Sequence, residues 1–211
     1  MPALALLLGA KEGITLATVL LAANNVAKVI AYRKTIPWRA SATTVALLGI
    51  GAAIGARLLV TADARWVQFA VLASFCATFL LERMNLAFLE RLGAPLLAFG
   101  GGLSSGFSGT SGPLKSLALR ALRFDRFHFL GAASLVSLVG DTTKATVFAA
   151  SSLIDSSVST LLFAALPLMI VGTSLGYLFN VRISERAFAL LFWAVIIGYA
   201  ARLILRFAAP A

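Results

Sequence analysis

The sequence predicts an all-α, polytopic transmembrane helix bundle with inverted repeats and a broken, re-entrant glycine-rich segment. Three observations predict it: the bulk composition, apolar runs of about one bilayer's length, and basic residues gathered at the ends of those runs. Of the 211 residues, 60% are hydrophobic and only 12% charged, with a mean hydropathy of +0.95. Soluble domains carry roughly 25% charged residues, so this chain has too few charges to clothe a water-facing surface. Apolar runs recur from end to end, as expected for several spans rather than one anchor.

Taken in order, full-length helices are expected at 13–33, 40–60, 66–82, 128–150, 158–180 and 184–206. Each is close to the roughly 20 residues that cross a hydrocarbon core. Short polar links join them, such as R-K-T-I-P-W-R at 33–39 and N-V-R-I-S at 180–184. Segment 93–124 differs. It begins as an apolar helix at 96–102, breaks at 104–113, and resumes at 114–124. A glycine- and serine-rich stretch ending in proline disfavours helix. At membrane depth such backbone is tolerated only where protein or a water-filled cavity covers it.

The chain also repeats itself. Ala17-Thr18 and Asn24-Asn25-Val26-Ala27-Lys28 align with Ala133-Ser134 and Gly140-Asp141-Thr142-Thr143-Lys144 at an offset of 116 residues. After a shift of five residues, Gly51 and Gly55 align with Gly172 and Gly176, and Arg65 with Arg186. Residues 1–91 form a first repeat, in which no leading hairpin is visible, and 92–211 a second that opens with the broken pair 93–124. Together they make one integral membrane domain.

Charge placement gives the copies opposite orientations. With the link 33–39 in the cytoplasm, ten basic residues fall inside: Arg33, Lys34, Arg39, Arg83, Arg91, Arg120, Arg123, Arg126, Arg182 and Arg186. Five fall outside (Lys11, Arg57, Arg65, Arg202 and Arg206), and Lys28, Lys115 and Lys144 stay at membrane depth. This bias follows the positive-inside rule and places the chain as a multi-pass protein of the inner or plasma membrane. The partners expected are the lipid bilayer, a small anion, a proton for coupling, and further copies of the chain. The net charge of +10 is absorbed by topology, so nucleic-acid binding is not expected.

The chemistry centres on the membrane lysines. A lysine at mid-span costs about 2.5–3.5 kcal/mol on insertion scales and faces a cavity or a partner unless it snorkels to the interface. Lys28 and Lys144 occupy equivalent repeat positions, each a turn after polar residues. Asn24 shares a helix face with Lys28, and Asp141 with Lys144. Asp141 either neutralises Lys144 or takes up a proton and positions the lysine. Asn24, Asn25, Thr142 and Thr143 either donate to anion oxygens or join helices. The break 104–113 is either a close packing crossing or an anion site. In the second reading Ser105, Gly106, Gly109, Thr110, Ser111 and Gly112 offer backbone N–H groups. Pro113 opens a helix whose first turn carries Lys115. Gly51-x-x-x-Gly55 and Gly172-x-x-x-Gly176 read as packing motifs or sliding surfaces. Trp38, Trp66 and Tyr32 read as interfacial anchors.

Neither a nucleophile–base pair nor a nucleotide loop is visible, so an enzyme is not expected. Gly100-Gly101-Gly102 follows no strand of a βαβ unit. One cysteine and one histidine make no metal site, no cofactor is expected, and Cys76 is expected to pack inside the bundle. Residues 1–10 are apolar without a basic start, unlike a cleaved signal peptide.

The stretch S-G-F-S-G-T-S-G-P at 105–113 resembles the glycine-rich signature of the TauE/SafE sulfite exporter family. The run 25–39, an asparagine-bearing helix end followed by Y-R-K and P-W-R, is similar to that family's first-half link. Residues 51–58 resemble the glycine-spaced helix that follows it. The resemblance implies a permease that moves sulfite, sulfonates or related organosulfur anions, usually outward. It carries over Gly106, Gly109, Gly112 and Pro113 as signature positions. The chain departs from the family pattern in showing no first-half copy of the signature.

Together these readings predict a secondary transporter for a small anion, working by alternating access at an electropositive midplane site. A non-transporting membrane scaffold or assembly subunit is the alternative.

Overall fold

The computed structural model describes residues 8–83, 93–109 and 112–154 continuously, together with Leu4 and scattered positions between 160 and 201. The described residues form α1 (Ala10–Tyr32), α2 (Trp38–Thr61), α3 (Ala64–Arg83), α4 (Gly93–Ser108), α5 (Gly112–Ala121) and α6 (Arg126–Ala150). No strand occurs among the described residues. Residues 11–35 and 38–61 are long and apolar enough to cross a membrane. The expected helices 13–33, 40–60, 66–82 and 128–150 are present as α1, α2, α3 and α6. Of the expected helix 158–180, stretches between 160 and 171 are helical and 172–180 lies outside the described residues. Nearly all of 184–206 lies outside them too.

Local chemistry sets the helix ends. A 3-10 turn at Arg33–Thr35 closes α1, with the Thr35 hydroxyl donating to the Tyr32 carbonyl at 2.9 Å. Pro37, which cannot donate a backbone hydrogen bond, then precedes α2. The Asp63 carboxylate accepts from the Arg65 amide at 2.8 Å at the start of α3. Gly109 takes φ +77° directly after α4, and its amide returns to the Ser105 carbonyl at 3.0 Å. That is the left-handed stop glycine tolerates best. Pro113 falls in the first turn of α5, where its missing N–H costs nothing. Asp125 caps α6 by accepting from the amides of Phe127 and His128.

Most of the buried residues of α2 are small, and several of its large apolar ones are exposed. Along α2 the buried positions are Ser41, Thr44, Leu48, Gly51, Ala52, Gly55, Ala56 and Leu59, whereas Ile50, Ile54 and Leu58 are exposed. In water this order would be reversed. Lipid solvates large apolar side chains, and small ones let helices approach. The approach of α2 to α4 is the closest consequence. A Cβ built on Gly51 or Gly55 would strike the carbonyls of Phe99 and Leu103, and one on Gly102 or Gly106 those of Leu48 and Ala52. The two backbones therefore touch, and the Gly51/Gly55 motif is a packing surface here. The similar motif expected at Gly172 and Gly176 lies outside the described residues.

Two expectations need correcting. The break does not begin at 104: α4 runs through Ser104, Ser105, Gly106 and Phe107 to Ser108, so the departure from helix begins at Gly109. Packing of Gly102 and Gly106 on the α2 backbone holds helical a stretch whose intrinsic propensity is poor. Cys76 is exposed rather than packed inside the bundle, because α3 turns Val67 and Val71 inward instead.

α4 and α5 pack together as a helical hairpin, while α6 packs against both α1 and α2. One apolar cluster gathers Ile14, Ala56, Leu59, Val67, Val71 and Phe148. A second joins α2, α4, α5 and α6 through Leu48, Leu97, Ala98, Leu117, Ala118, Ala132 and Val136. A charged cluster on α6 sits within this framework.

Candidate functional site

On α6, Ser134, Ser137, Asp141 and Lys144 follow one another at intervals of three or four residues and so share a helix face. Phe148, fully buried, continues the stripe. Lys144 and Asp141 are buried, at 1% and 8% exposure. Their ion pair spans 2.7 Å, from the Lys144 Nζ to the Asp141 Oδ1. The other carboxylate oxygen, Oδ2, accepts from the Asn25 Nδ2 on α1, also at 2.7 Å. Lys144 donates in addition to the Ser105 hydroxyl on α4 at 3.0 Å. One carboxylate and one ammonium thus tie together α1, α4 and α6. Both are matched, as a buried pair must be to avoid a large desolvation penalty.

Lys115 enters from the first turns of α5. Its Nζ donates to the Ser137 hydroxyl at 2.9 Å, and the Ser137 O–H in turn donates to the Ala133 carbonyl at 2.7 Å. An ammonium has three donors. Among the described residues Lys115 finds one acceptor, Lys144 two, and the exposed Lys28 none. Lys28, Lys144 and Asp141 all lie close enough to the Lys115 ammonium to act on it electrostatically. Three ammonium groups against one carboxylate leave a formal excess of two positive charges, with two donors to spare on Lys115, one on Lys144 and all three on Lys28 among the described residues.

The other residues singled out in the sequence fall as follows. Asn24 is half-buried and makes no hydrogen bond among the described residues. Thr142 is exposed and bonds back to the Leu138 carbonyl at 2.7 Å, so its hydroxyl serves its own helix. Thr143 is half-buried, near Gly49 of α2. Ser105 and Gly106 lie inside α4: the Ser105 hydroxyl reaches the site, and Gly106 forms the crossing with α2. Gly109 is the helix stop. Thr110 and Ser111 lie outside the described residues, and Gly112 and Pro113 open α5. Sequence reasoning missed Ser137, whose signal was its place one turn before Asp141 on the same face. It also missed the contact between the Ser74 and Ser108 hydroxyls, 2.7 Å apart, which links α3 to α4.

A helical chain with long apolar helices, large apolar side chains exposed along α2, and hydroxyls, an amide and paired charges buried between helices fits a membrane protein with a polar interior. The chain belongs to the sulfite exporter TauE/SafE family, whose family model matches residues 1–203. Members of that family are membrane transporters and not enzymes. No curated protein and no solved structure matched the chain.

Proposed function

We propose that this chain is a secondary permease that moves sulfite or organosulfonates across the inner or plasma membrane by alternating access at the site around Lys115. The observation that carries the reading is the meeting of two lysines on one face of α6, Lys144 bound to Asp141 at 2.7 Å and Lys115 bound to Ser137 at 2.9 Å, one turn away. This leaves positive charge and unfilled N–H donors where helices of a membrane protein meet. A tetrahedral or pyramidal oxyanion accepts several hydrogen bonds at once, and charge-assisted bonds of this kind are the strong ones. In this reading the α4–α5 hairpin is a re-entrant element. It enters and leaves on one side and presents Lys115 and Ser105 at its tip region.

The inverted-repeat reading gains support from one pair. Asn25 and Asp141, equivalent under the 116-residue offset, are hydrogen-bonded to each other, and the helices that carry them pack together. Residues next to a pseudo-two-fold axis meet their own mates, as this pair does. Alternating access then amounts to rocking of one repeat against the other about this contact.

The test is flux of sulfite, taurine and chloride through purified protein in liposomes, with and without a proton gradient. Wild type is expected to pass sulfite or taurine over chloride. Lys28→Ala, Lys115→Ala and Lys144→Ala are expected to cut that flux by roughly tenfold or more, the loss of about one charge-assisted contact. Undiminished flux in all three variants would remove the lysines from the mechanism. A wild-type protein that passes no anion would favour a scaffold.

A further inference from the structure

Asp141 is an odd component of a site built to attract anions. Its carboxylate carries the charge of the proposed cargo and sits where the cargo's counter-charges lie. It is also bound as a cargo oxyanion would be: one oxygen takes the Lys144 ammonium at 2.7 Å, the other the Asn25 amide at 2.7 Å. Asp141 therefore takes one N–H donor of Asn25 and one of Lys144, whose second bond goes to Ser105. It leaves Lys115 with one hydroxyl partner and Lys28 with none among the described residues. The contact is also asymmetric between the repeats, with a neutral amide at 25 and a charged carboxylate at 141. Helix packing alone would be met by two amides.

We propose that Asp141 is the specificity-determining residue of this site. Its carboxylate is a tethered anion that occupies Asn25 and Lys144, reserves Lys115 and Lys28 for the travelling anion, and holds affinity low enough for release. The inference rests on the permease reading above and adds to it the residue that sets how tightly, and by which charge, an anion is held. Three ammonium groups without a carboxylate would hold an oxyanion too firmly to let it go. Coulomb energy scales with the product of charges, so the carboxylate also limits the preference for more highly charged anions.

The experiment measures Kd, KM and kcat for sulfite, which carries up to two charges, and methanesulfonate, which carries one. It uses the full chain in detergent for binding and in liposomes for flux. Asp141→Asn keeps the shape and removes the charge. Its Kd and KM for sulfite are expected to fall at least about tenfold, as removing one nearby like charge should do. The fall should be smaller for methanesulfonate, and kcat should drop in both cases as release slows. A merely structural ion pair moves the other way: Asp141→Asn would unfold more easily and bind no more tightly.

The exchanged pair Asn25→Asp/Asp141→Asn returns a carboxylate to within a hydrogen bond of its native place. Its sulfite affinity should lie within about threefold of wild type, less than 1 kcal/mol. If Asp141→Asn alone does not fold, the exchanged pair decides the matter, and a tenfold loss of affinity in it overturns the inference. Unchanged or weaker binding by folded Asp141→Asn, beside a wild type that binds, overturns the role of Asp141 and leaves the permease standing. A wild type that binds neither anion removes both.

Discussion

The touching backbones of α2 and α4 give a sharp stability prediction. A methyl group on Gly102 would lie 2.9 Å from the Ala52 nitrogen and closer still to the Leu48 carbonyl oxygen. Ordinary carbon contacts need about 3.5–4.0 Å, so Gly102→Ala must open the crossing by about 1 Å. A gap of that size forfeits a quarter to a half of each dispersion contact, each worth about 0.1–0.2 kcal/mol. Over some tens of atom pairs along this crossing the loss is about 2 kcal/mol, within the range of about 1–3 kcal/mol for overpacked cores. Gly100, two residues away on α4, provides the control, since its added methyl would meet only the Leu114 Cδ1 at an ordinary 3.9 Å. Gly100→Ala should be neutral, or stabilising by up to about 1 kcal/mol from helix propensity. Thermal unfolding of the detergent-solubilised protein, followed by a thiol-independent dye or by size-exclusion after heating, measures both. Gly102→Ala is expected to lower Tm by about 4–8 °C, and Gly100→Ala to leave it level or higher. Equal transitions in the two variants would refute the backbone contact and the inward direction of that glycine face.

Two further outcomes follow from the same geometry. Ser105→Ala removes one of the two acceptors of a buried ammonium and should cost about 1.5–3 kcal/mol of stability, read in the same melting experiment; an unchanged Tm would show that this bond carries no stability. At the start of α6, hydrogen bonds from the His128 backbone, then the His128 ring, then the Phe127 backbone, hold the Asp125 carboxyl below its usual 3.8. A depressed carboxyl pKa contributes stability that is fully present above the ordinary value and is lost as pH falls through the lowered one. Melting curves between neutral pH and pH 3 should therefore show an acid loss that is blunted in Asp125→Asn. An identical acid slope in the two proteins would show that this cap carries no linkage.

The restart of helix at Pro113 was legible in the sequence, because proline acts within a residue or two of itself, whereas the sequence shows Gly109 only as one of a glycine-rich stretch and not as the positive-φ stop it is. The ends of α1, α2, α3 and α6 were legible too, since hydropathy and capping are local properties. The break's true start was not legible. Glycine-rich composition argues against helix at 104–108, and only the α2 backbone pressed against Gly102 and Gly106 reverses that preference. Lys144 and Asp141 could be paired from their three-residue spacing on one helix. Lys115 with Ser137 could not, because that bond joins two helices whose relative rotation no local pattern encodes.

The sequence by itself determined that the chain is a helical membrane protein and where the helices α1, α2, α3 and α6 begin and end to within a few residues. Each of these depends on the transfer of side chains from water to lipid and on the helical period, which are read along a single segment. Tertiary structure alone decided that Asn25 meets Asp141 across 116 residues, that Ser137 receives Lys115, and that Lys28 remains unmatched among the described residues. Those outcomes depend on how helices rotate and cross, which is fixed by the mutual fit of faces far apart in the chain.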